Sequence, residues 1–352
     1  MLKYILKVFC SLLVVVLCSC IDEISFDPPD EFQDSVVIIG KIVLGEPSTV
    51  EVLVQSVFDF SFTGESFLTA ERVAVFNEQG DQLEVPIAGP GEYRLKIDDD
   101  VSFKVELGQL YGIEVRLFNG RAFKSFLIPL VTVPKMDTID HKLVEKEVLN
   151  FEGEYEIQPR IEYRVNTPLS AEDDAVRKNL KWDFTRAYKL TDDNDTNCYP
   201  SGAVDFKLIQ IIDQQEIAVD YLADHLVLEQ GISQTMVEGQ YVTVIQEALD
   251  GEAFQFWKQA NALSTNSGTF CEPPPGQIVG NIYSTNNDDR GAVFGYFYGT
   301  QHDTMLLYVD STFINLNISV CPRPPRAGPP VCDECCDCAL FFTKEQPSFW
   351  ER

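Results

Sequence analysis

Between residues 35 and 133 the chain is a close succession of short strand patterns separated by turn residues. The first, Ser35–Leu44, is rich in Val and Ile, and Thr49–Gln55 places apolar side chains between polar ones. Alternation with a period of two turns one face of a strand toward a core. About seven or eight such segments, with turns roughly every 8 to 12 residues, are typical of a β-sandwich. The sequence therefore predicts an N-terminal sandwich at 35–133.

The clearest hairpin of this region is centred on Asn119-Gly120. Tyr111–Phe118 and Arg121–Ile128 flank it as candidate strands. Asn-Gly favours a type I′ turn because both central residues of that turn need a positive φ. Another strand is predicted at Ser102–Leu107. The expected architecture of this domain is immunoglobulin-like or transthyretin-like.

A second, larger region at 134–320 also shows strand patterns. The candidate strands are Thr138–Leu149, Tyr155–Asn166, Leu180–Leu190, Val204–Ile212, Tyr241–Ala248, Ile278–Tyr283, Ala292–Tyr298 and Met305–Val309. The pattern predicts a β-rich, sandwich-like domain. The whole chain is therefore expected to be mostly β, with two sandwich-like domains.

One or two helices are predicted in this second region. Asp250–Leu263 places Phe254 and Trp257 on one side, with Asp250 as the N-cap. Such a stripe indicates core packing. A second helix is predicted at Ala218–His225.

The segment 321–352 is a Pro- and Cys-rich tail. Seven cysteines follow Cys20, and an exported chain is expected to form disulfides. An odd number leaves at least one thiol free or paired between chains. A zinc site is the alternative, although these cysteines lie too close together to surround one ion without help from Cys321. We predict no metal site, and a separate bridge between Cys198 and Cys271. The disulfide candidates are Cys198, Cys271, Cys321, Cys332, Cys335, Cys336 and Cys338.

The N-terminus has the parts of a secretory signal. Lys3 and Lys7 precede an apolar run from Val8 to Leu17, which is shorter than the roughly 20 residues that span a bilayer. Leu17-Cys18-Ser19-Cys20 resembles the bacterial lipobox, so residues 1–19 are expected to be removed and Cys20 to carry lipid. Residues 20–34 then form a tether. Its start, Ile21-Asp22-Glu23, is similar to the acidic export signal of Bacteroidetes-type surface lipoproteins, which implies an outer-membrane, cell-surface location.

The charge of the chain excludes one class of partner. Without residues 1–19, 25 Lys and Arg face 55 Asp and Glu, a formal charge of −30. Such a chain repels polyphosphate, so nucleic-acid binding is not expected. Asp192–Asn197 carries alternating oxygen ligands as a calcium loop does, but Cys198 and Val204 occupy the glycine and bidentate glutamate positions, so a solvated turn is predicted.

Three aromatic side chains form the candidate partner-binding site. Phe58, Phe60 and Phe62 share one face if their segment is extended. They are either core residues or an exposed platform for a ligand or a protein rim.

Catalytic motifs are missing from the sequence. There is no His-Glu-x-x-His, no Gly-x-Ser-x-Gly and no phosphate-binding glycine loop. We therefore predict a non-enzymatic protein with no catalytic residues and no cofactor. Dispersed carboxylates that converge in space leave a hydrolase as an alternative.

Several segments together resemble one lipoprotein family. They are the lipobox, Phe254–Lys258, Pro273–Ile282, Gly295–Phe297 and the ending Cys336–Trp350. This is the domain-of-unknown-function family 4249 (DUF4249). Between Cys338 and Pro347 the family tends to carry a glycine pair, whereas this chain has Ala339–Phe342. The resemblance implies a neighbourhood with TonB-dependent outer-membrane transporters.

The predicted function is that of a non-catalytic accessory or binding subunit of a TonB-dependent nutrient uptake system. Its predicted partners are the membrane, through the lipid on Cys20, and a TonB-dependent barrel; the sequence does not name a ligand. A structural, adhesion or envelope-assembly lipoprotein is the first alternative, and a hydrolase the second.

Overall fold

The computed structural model describes residues 34–56, 66–98, 102–150, 153–172, 174–204, 209–265, 278–286, 291–310 and 335–350, and these are mostly β. The strands of the N-terminal part are β1 (Val36–Leu44), β2 (Ser48–Ser56), β3 (Ala70–Asn77), β4 (Gln82–Glu84), β5 (Ile87–Gly89), β6 (Glu92–Ile97), β7 (Leu110–Leu117), β8 (Ala122–Ser125) and β9 (Ile128–Val131).

The later part of the chain contains twelve described strands and one described α-helix. They are β10 (Thr138–Leu149), β11 (Tyr155–Pro168), β12 (Asn179–Tyr188), β13 (Leu190–Thr191), β14 (Asn197–Cys198), β15 (Ser201–Ala203), β16 (Gln210–Ile212), β17 (Tyr221–Gly231), β18 (Gln240–Leu249), β19 (Ile282–Ser284), β20 (Val293–Phe294) and β21 (Phe297–Val309). The helix α1 is Gly251–Thr265, and short 3-10 turns lie at Gln234–Met236 and Cys338–Leu340.

The N-terminal strands form a sandwich around the first hydrophobic core. One layer has the order β5-β6-β2-β1-β21, and the other joins β4, β3, β7, β8 and β19. Alternate residues of β1, such as Ile38 and Ile42, are fully buried against Val75 and Ile113 of the other layer. The period-two pattern of the sequence therefore specifies this sandwich.

A second core lies between two further sheets. β12 pairs with β18, and β18 pairs with β21. Against them packs a three-stranded sheet of order β10-β11-β17. Trp182 and Phe184 of β12 meet Ile161 and Tyr163 of β11 in this core. The later region is therefore a second β-rich layered structure, as its strand patterns predict.

Strand β21 belongs to both layered structures. Its first half runs parallel to β1, from Gly40↔Phe297 to Leu44↔Gln301. Its second half runs antiparallel to β18, from Glu247↔His302 to Gln240↔Val309. A single continuous strand from the later part of the chain thus pairs with strands of both layered structures, and the two cores share a sheet.

Three predicted local structures are wrong. The first is the strand at Ser102–Leu107, which the structure shows as an irregular segment. Its backbone bonds to a side chain instead of a neighbouring strand: the Tyr111 hydroxyl accepts from the Glu106 amide at 2.8 Å and donates to the Lys104 carbonyl at 3.0 Å. Phe103 is buried, which explains the strand-like apolar pattern.

The second correction concerns the Asn119-Gly120 turn. Only Gly120 has a positive φ, at 85°, and Asn119 does not. The Leu117 amide donates to the Arg121 carbonyl at 2.8 Å, which closes a three-residue loop of 118–120. Such a loop combines a type I turn with a left-handed glycine, so the turn is not type I′.

The third correction concerns Ala218–His225. The structure places Tyr221–Gly231 in strand β17, which pairs with β11 at Thr167↔Leu222 and Pro168↔Tyr221. Leu222 is buried in the second core. Pairing and burial override the local helical spacing, because tertiary context outweighs propensity in short segments.

Helix α1 confirms the prediction at Asp250–Leu263. The Ala253 amide donates to the Asp250 carboxylate at 2.7 Å, so Asp250 caps the helix. Phe254 is buried and Trp257 half-buried. In the part of the chain that the structure describes, we find no helix long and apolar enough to cross a membrane.

Candidate functional site

A cavity of about 330 Å³ opens where the two layered structures meet. Its floor is the outer face of β1, β2 and β6, and its opposite wall comes from β12 and α1. Its lining includes the side chains of Lys41, Glu51, Leu53, Arg94, Lys181, Asp183, Trp257 and Tyr298.

Cross-strand register places the polar side chains of the floor in one row. Lys41 of β1 lies opposite Tyr298 of β21 on one side and Glu51 of β2 on the other. Glu51 lies opposite Arg94 of β6. Neighbours of Lys41 along the strand, such as Ile42, face the sandwich core, so the alternation turns this row outward to the cavity.

A second row comes from the other sheet. Lys181 of β12 lies opposite Glu247 of β18, and Glu247 lies opposite His302 of β21. Tyr298 and His302 are four residues apart on β21, so they share one face of that strand. The shared strand therefore brings the two rows together.

The Glu247 carboxylate is the centre of this cluster and is 0% exposed. It accepts from the Lys41 ammonium at 2.5 Å, from the Lys181 ammonium at 3.1 Å and from the Tyr298 hydroxyl at 2.8 Å. The His302 Nε2 atom lies 2.9 Å from it. We call Lys41, Lys181, Glu247, Tyr298 and His302 the seam cluster.

Burial and neighbouring charges shift the pKa values of Glu247, Lys41 and Tyr298. Burial alone would raise the pKa of Glu247, but the charges of Lys181 and Lys41 bring it well below its ordinary value. Burial would likewise lower the pKa of Lys41, but Glu247, Asp183 and Glu51 raise it above the ordinary value. Burial and the adjacent Glu247 raise the pKa of Tyr298. At neutral pH the carboxylate is thus ionised, Lys41 is charged and Tyr298 keeps its proton.

The aromatic wall of the cavity is Trp257. The Lys181 ammonium lies 5.4 Å from its ring centroid, and the Tyr298 ring meets it edge-on at 6.2 Å. Its indole nitrogen Nε1 is buried and has no hydrogen-bond partner among the residues that the structure describes. An indole N–H donates only, so it is suited to an acceptor atom.

The Glu247 carboxyl is not set up to act as a general acid at neutral pH. A general acid at neutral pH needs a raised carboxyl pKa, whereas the pKa of Glu247 is lowered. The cationic side chains already face carboxylates: Lys181 lies 2.5 Å and Lys41 3.8 Å from Asp183, and Arg94 lies 3.3 Å from Glu51. A concave, partly aromatic cavity with fixed polar groups is typical of small-molecule binding sites.

The sequence did not single out the seam cluster. A signal was present, because Lys41 interrupts the apolar strand Val36–Leu44 and Glu247 interrupts Gln240–Leu249. Charged residues on strands are rarely buried unless they are paired. Which strands bring the partners together was not readable from the sequence.

The cysteine pairing differs from the predicted one. Cys198 forms a disulfide with Cys338, 140 residues away, and not with Cys271. Cys335 and Cys336 are also disulfide-bonded. A disulfide sulfur is not a thiolate ligand for zinc, and no metal-binding group of His, Cys, Asp and Glu occurs within the described ranges. The physical reason for the pairing is that the tail folds back on the hairpin β13–β14.

The Asp192–Asn197 segment is the turn that receives this tail. The Asp192 carboxylate accepts from the Asn194 and Thr196 amides, each at 2.9 Å, and from the Cys338 amide at 3.2 Å. The Asn194 amide group donates to the Cys336 carbonyl at 2.8 Å. The turn is predicted correctly, but it binds the tail and its Asp192 is buried instead of solvated.

Aromatic packing docks the end of the tail. The Trp350 ring lies 5.6 Å from Tyr199 and 4.9 Å from Tyr241, and Phe349 lies 5.1 Å from Tyr241. The tail is therefore fixed to the second layered structure by a disulfide and by ring contacts.

Several predicted site residues lie outside the described residues. They are Cys20, Phe58, Phe60, Phe62, Cys271, Cys321 and Cys332. Their predicted roles in lipidation, partner binding and disulfide formation stay predictions.

Asn281 shows why the Gly-Asn-Ile segment matters structurally. Its side chain accepts from the Phe297 amide at 2.8 Å and donates to the Phe297 carbonyl at 2.7 Å. At Gly280 a Cβ would overlap the carbonyl oxygen of Gly295. The motif thus anchors the start of β21, the strand that carries Tyr298 and His302.

Comparison with known families gives one match. A family model described as "Domain of unknown function (DUF4249)" matches residues 21–305. The chain belongs to the DUF4249 family. The matched range contains the seam cluster and the Gly280-Asn281-Ile282 segment, and it ends before the cysteine tail. The DUF4249 chain matches none of the curated proteins.

Proposed function

We propose that this DUF4249 protein is a lipid-anchored outer-membrane lipoprotein, exposed at the cell surface through Cys20, that acts as a non-catalytic accessory or binding subunit of a TonB-dependent nutrient uptake system. The observation that carries the binding role is the cavity between the two layered structures, with its Trp257 wall and its charge-paired floor. The lipobox and the acidic residues after Cys20 support the location.

The cavity suits a small nutrient that has both apolar and polar groups. Its volume of about 330 Å³ lies at the low end of the range of small-molecule sites, roughly 300–1,000 Å³. Leu53 and Trp257 offer apolar contact, while Lys41 and Arg94 offer donors. Because these donors are already held by carboxylates, a ligand meets side chains that are positioned in advance.

A lipid anchor gives such a subunit a physical advantage. Two partners held in one membrane have a high effective concentration, so a weak direct contact is enough to keep them together. A lipoprotein beside a barrel can therefore bind a solute and present it without a strong complex of its own.

The first experiment is purification of the tagged native protein from the outer membrane in mild detergent, with identification of co-purifying proteins by mass spectrometry. Stoichiometric recovery of a TonB-dependent barrel is expected. Recovery of the protein alone, or with envelope-assembly machinery, would contradict the uptake role and favour a structural lipoprotein.

A second experiment tests the cavity separately. We expect Leu53→Trp to fill it, whereas Leu53→Met is a matched control of similar volume. Small molecules extracted from the purified complexes are compared by mass spectrometry. A compound retained by the native protein and by Leu53→Met, but lost from Leu53→Trp while the barrel is still recovered, would support ligand binding. Equal retention by all three would exclude this cavity as the binding site.

A further inference from the structure

The hairpin of β10 and β11 extends past the sheet to which it belongs. The two strands pair along their whole length, from Thr138↔Asn166 to Leu149↔Tyr155. The third strand, β17, pairs with β11 only as far as Arg160↔Gly231. The five pairs from Glu145↔Pro159 to Leu149↔Tyr155 therefore project as a two-stranded ribbon, about 17 Å long at roughly 3.4 Å per residue.

One face of this ribbon continues the core face of the sheet. Odd-numbered residues at its base, such as Ile139 and Ile161, are buried in the second core. Odd-numbered residues farther out are not: Leu149 is 57% exposed, and Tyr155 and Ile157 are each 71% exposed. We call the side chains of Leu149, Tyr155, Ile157 and Pro159 the apolar face of the ribbon; all four are exposed.

The opposite face of the same hairpin is satisfied by ion pairs. Lys146 lies 2.8 Å from Glu162 and also bonds to Glu229, and Arg160 lies 2.6 Å from Glu229. Charged side chains on this face of the hairpin thus form ion pairs, whereas the other face exposes apolar side chains. An isolated two-stranded hairpin is marginally stable in water, so an exposed apolar face at its end indicates a contact surface.

The charges on the apolar face indicate what covers it. Glu145 and Glu147 lie on this face, opposite Pro159 and Ile157, and Glu154 lies at the turn. None of these three carboxylates forms an ion pair with a residue that the structure describes. A second copy of this acidic chain would bring like charges together, and an anionic lipid surface would repel them. A surface with basic groups around an apolar centre complements both features.

We propose that the apolar face of the ribbon docks into an apolar groove, rimmed by Lys and Arg side chains, on a partner protein. Leu149, Tyr155 and Ile157 fill the groove, and Glu145 and Glu147 pair with the basic rim. This surface lies on a different element from the cavity, so the proposal does not depend on ligand binding there.

Photo-crosslinking in cells that make the full-length protein tests the proposal. The probe is p-benzoylphenylalanine in place of Ile157, and the matched control places it at Gln158, the next residue on the opposite face. We expect an adduct with one protein from position 157 and at least about fivefold less from position 158. The partner peptide in the adduct should carry Lys or Arg beside apolar residues.

A second experiment repeats the crosslinking with charge-reversal variants. Glu145→Lys combined with Glu147→Lys should reduce the adduct at least about fivefold, and the Gln double variant should reduce it less. Raising the salt concentration should also reduce it, because exposed charge pairs are screened. An unchanged thermal unfolding midpoint shows that the variants are folded.

Four results would overturn the proposal. They are absence of an adduct, equal adducts from both faces, an adduct between two copies of the chain or with lipid, and an adduct that charge reversal leaves unchanged. The first two exclude docking on this face, and the last two show another occupant or another chemistry.

Discussion

The molecule has two networks of charged side chains in different surroundings. One is the seam cluster, and the other lies on the ion-paired face of the β10–β11 hairpin, with Glu229 of β17. Glu247 in the seam is 0% exposed, and Lys41 is 15% exposed. Lys146 on the ribbon is 37% exposed, and its partner Glu229 is 28% exposed. Water screens Lys146 and Glu229 more than it screens Lys41 and Glu247, although Glu162 in the second network is only 7% exposed. Ion pairs of the same chemistry therefore contribute differently to stability.

The networks also differ in redundancy. On the hairpin, Glu162 contacts Lys146 at 2.8 Å and Arg164 at 2.7 Å. Glu229 contacts Lys146 and Arg160, so each of these carboxylates keeps an arginine if Lys146 is lost. In the seam, Lys41 and Lys181 share the fully buried carboxylate of Glu247, and their other shared partner, Asp183, has a side chain that is 34% exposed. The comparison teaches that the seam has one fully buried counter-charge, whereas the hairpin network has two carboxylates that each contact two cations.

Glu247→Gln should produce the largest effect. The substitution removes the fully buried carboxylate that Lys41 and Lys181 share and leaves them with the partly exposed Asp183. Breaking a buried pair costs about 3–5 kcal/mol. The free energy of unfolding from urea titration measures it.

Glu51→Gln is the matched control for this prediction. Glu51 lies 3.8 Å from Lys41 and its side chain is 39% exposed, so the expected loss is at most about 1 kcal/mol. Equal losses from the two variants would break the comparison, because burial would then not decide the cost.

Acidification should separate the native protein from Glu247→Gln in a defined direction. Burial alone would raise the pKa of Glu247, but Lys181 and Lys41 hold it well below its ordinary value. A carboxyl with a lowered folded pKa contributes stability above its unfolded pKa of about 4.3 and loses it as the pH falls toward the folded value. We expect the difference in unfolding free energy to be largest near pH 7 and to shrink below about pH 4.

Urea titrations of both proteins from pH 7 to pH 3 measure this difference. A difference that stays constant over this range would show that the ionised form of Glu247 does not stabilise the fold.

Lys146→Ala should have the smallest effect. Hydrogen bonds to Glu162 and Glu229 raise the pKa of Lys146, but both carboxylates keep an arginine. The Lys146 side chain is 37% exposed and its partner Glu162 still contacts Arg164, so the expected loss is at most about 1 kcal/mol. Lys181→Ala, at a 5% exposed side chain, is the comparison variant and should cost more. Chemical unfolding of the two variants would contradict the ranking if Lys146→Ala were the less stable one.

Much of the fold was predictable because strand periodicity is local. β10 matches its predicted bounds, and β1, β2, β7 and β18 differ from theirs by one or two residues. The helix α1 was predictable from Asp250 as its N-cap and from the apolar stripe that contains Phe254 and Trp257. The segments that misled, Ser102–Leu107 and Ala218–His225, owe their conformation to the Tyr111 hydroxyl and to pairing with β11. The first cause is a side-chain contact five to seven residues away that strand periodicity does not report, and the second is pairing between strands far apart in the sequence.

The candidate site was much less predictable. Trp257 was expected in the core, and it is half-buried at the cavity wall. The cluster at 332–338 was expected to form disulfides, and its described members Cys335, Cys336 and Cys338 do. The separate bridge predicted between Cys198 and Cys271 is wrong, because Cys198 pairs with Cys338. Partners in these contacts lie up to 206 residues apart, as between Lys41 and Glu247, and no spacing rule reaches that far.

The sequence by itself determined that this chain is mostly β, that Asp250 begins its principal helix and that Asp192 opens a turn, because alternation, capping and turn formation depend on neighbouring residues. Membership of the DUF4249 family also follows from the sequence. Only the tertiary structure decided that β21 serves both sheets, that Glu247 meets Lys41 and Lys181, and that Cys338 returns to Cys198. These outcomes depend on which strands pair, and that choice is made by burial summed over the whole molecule.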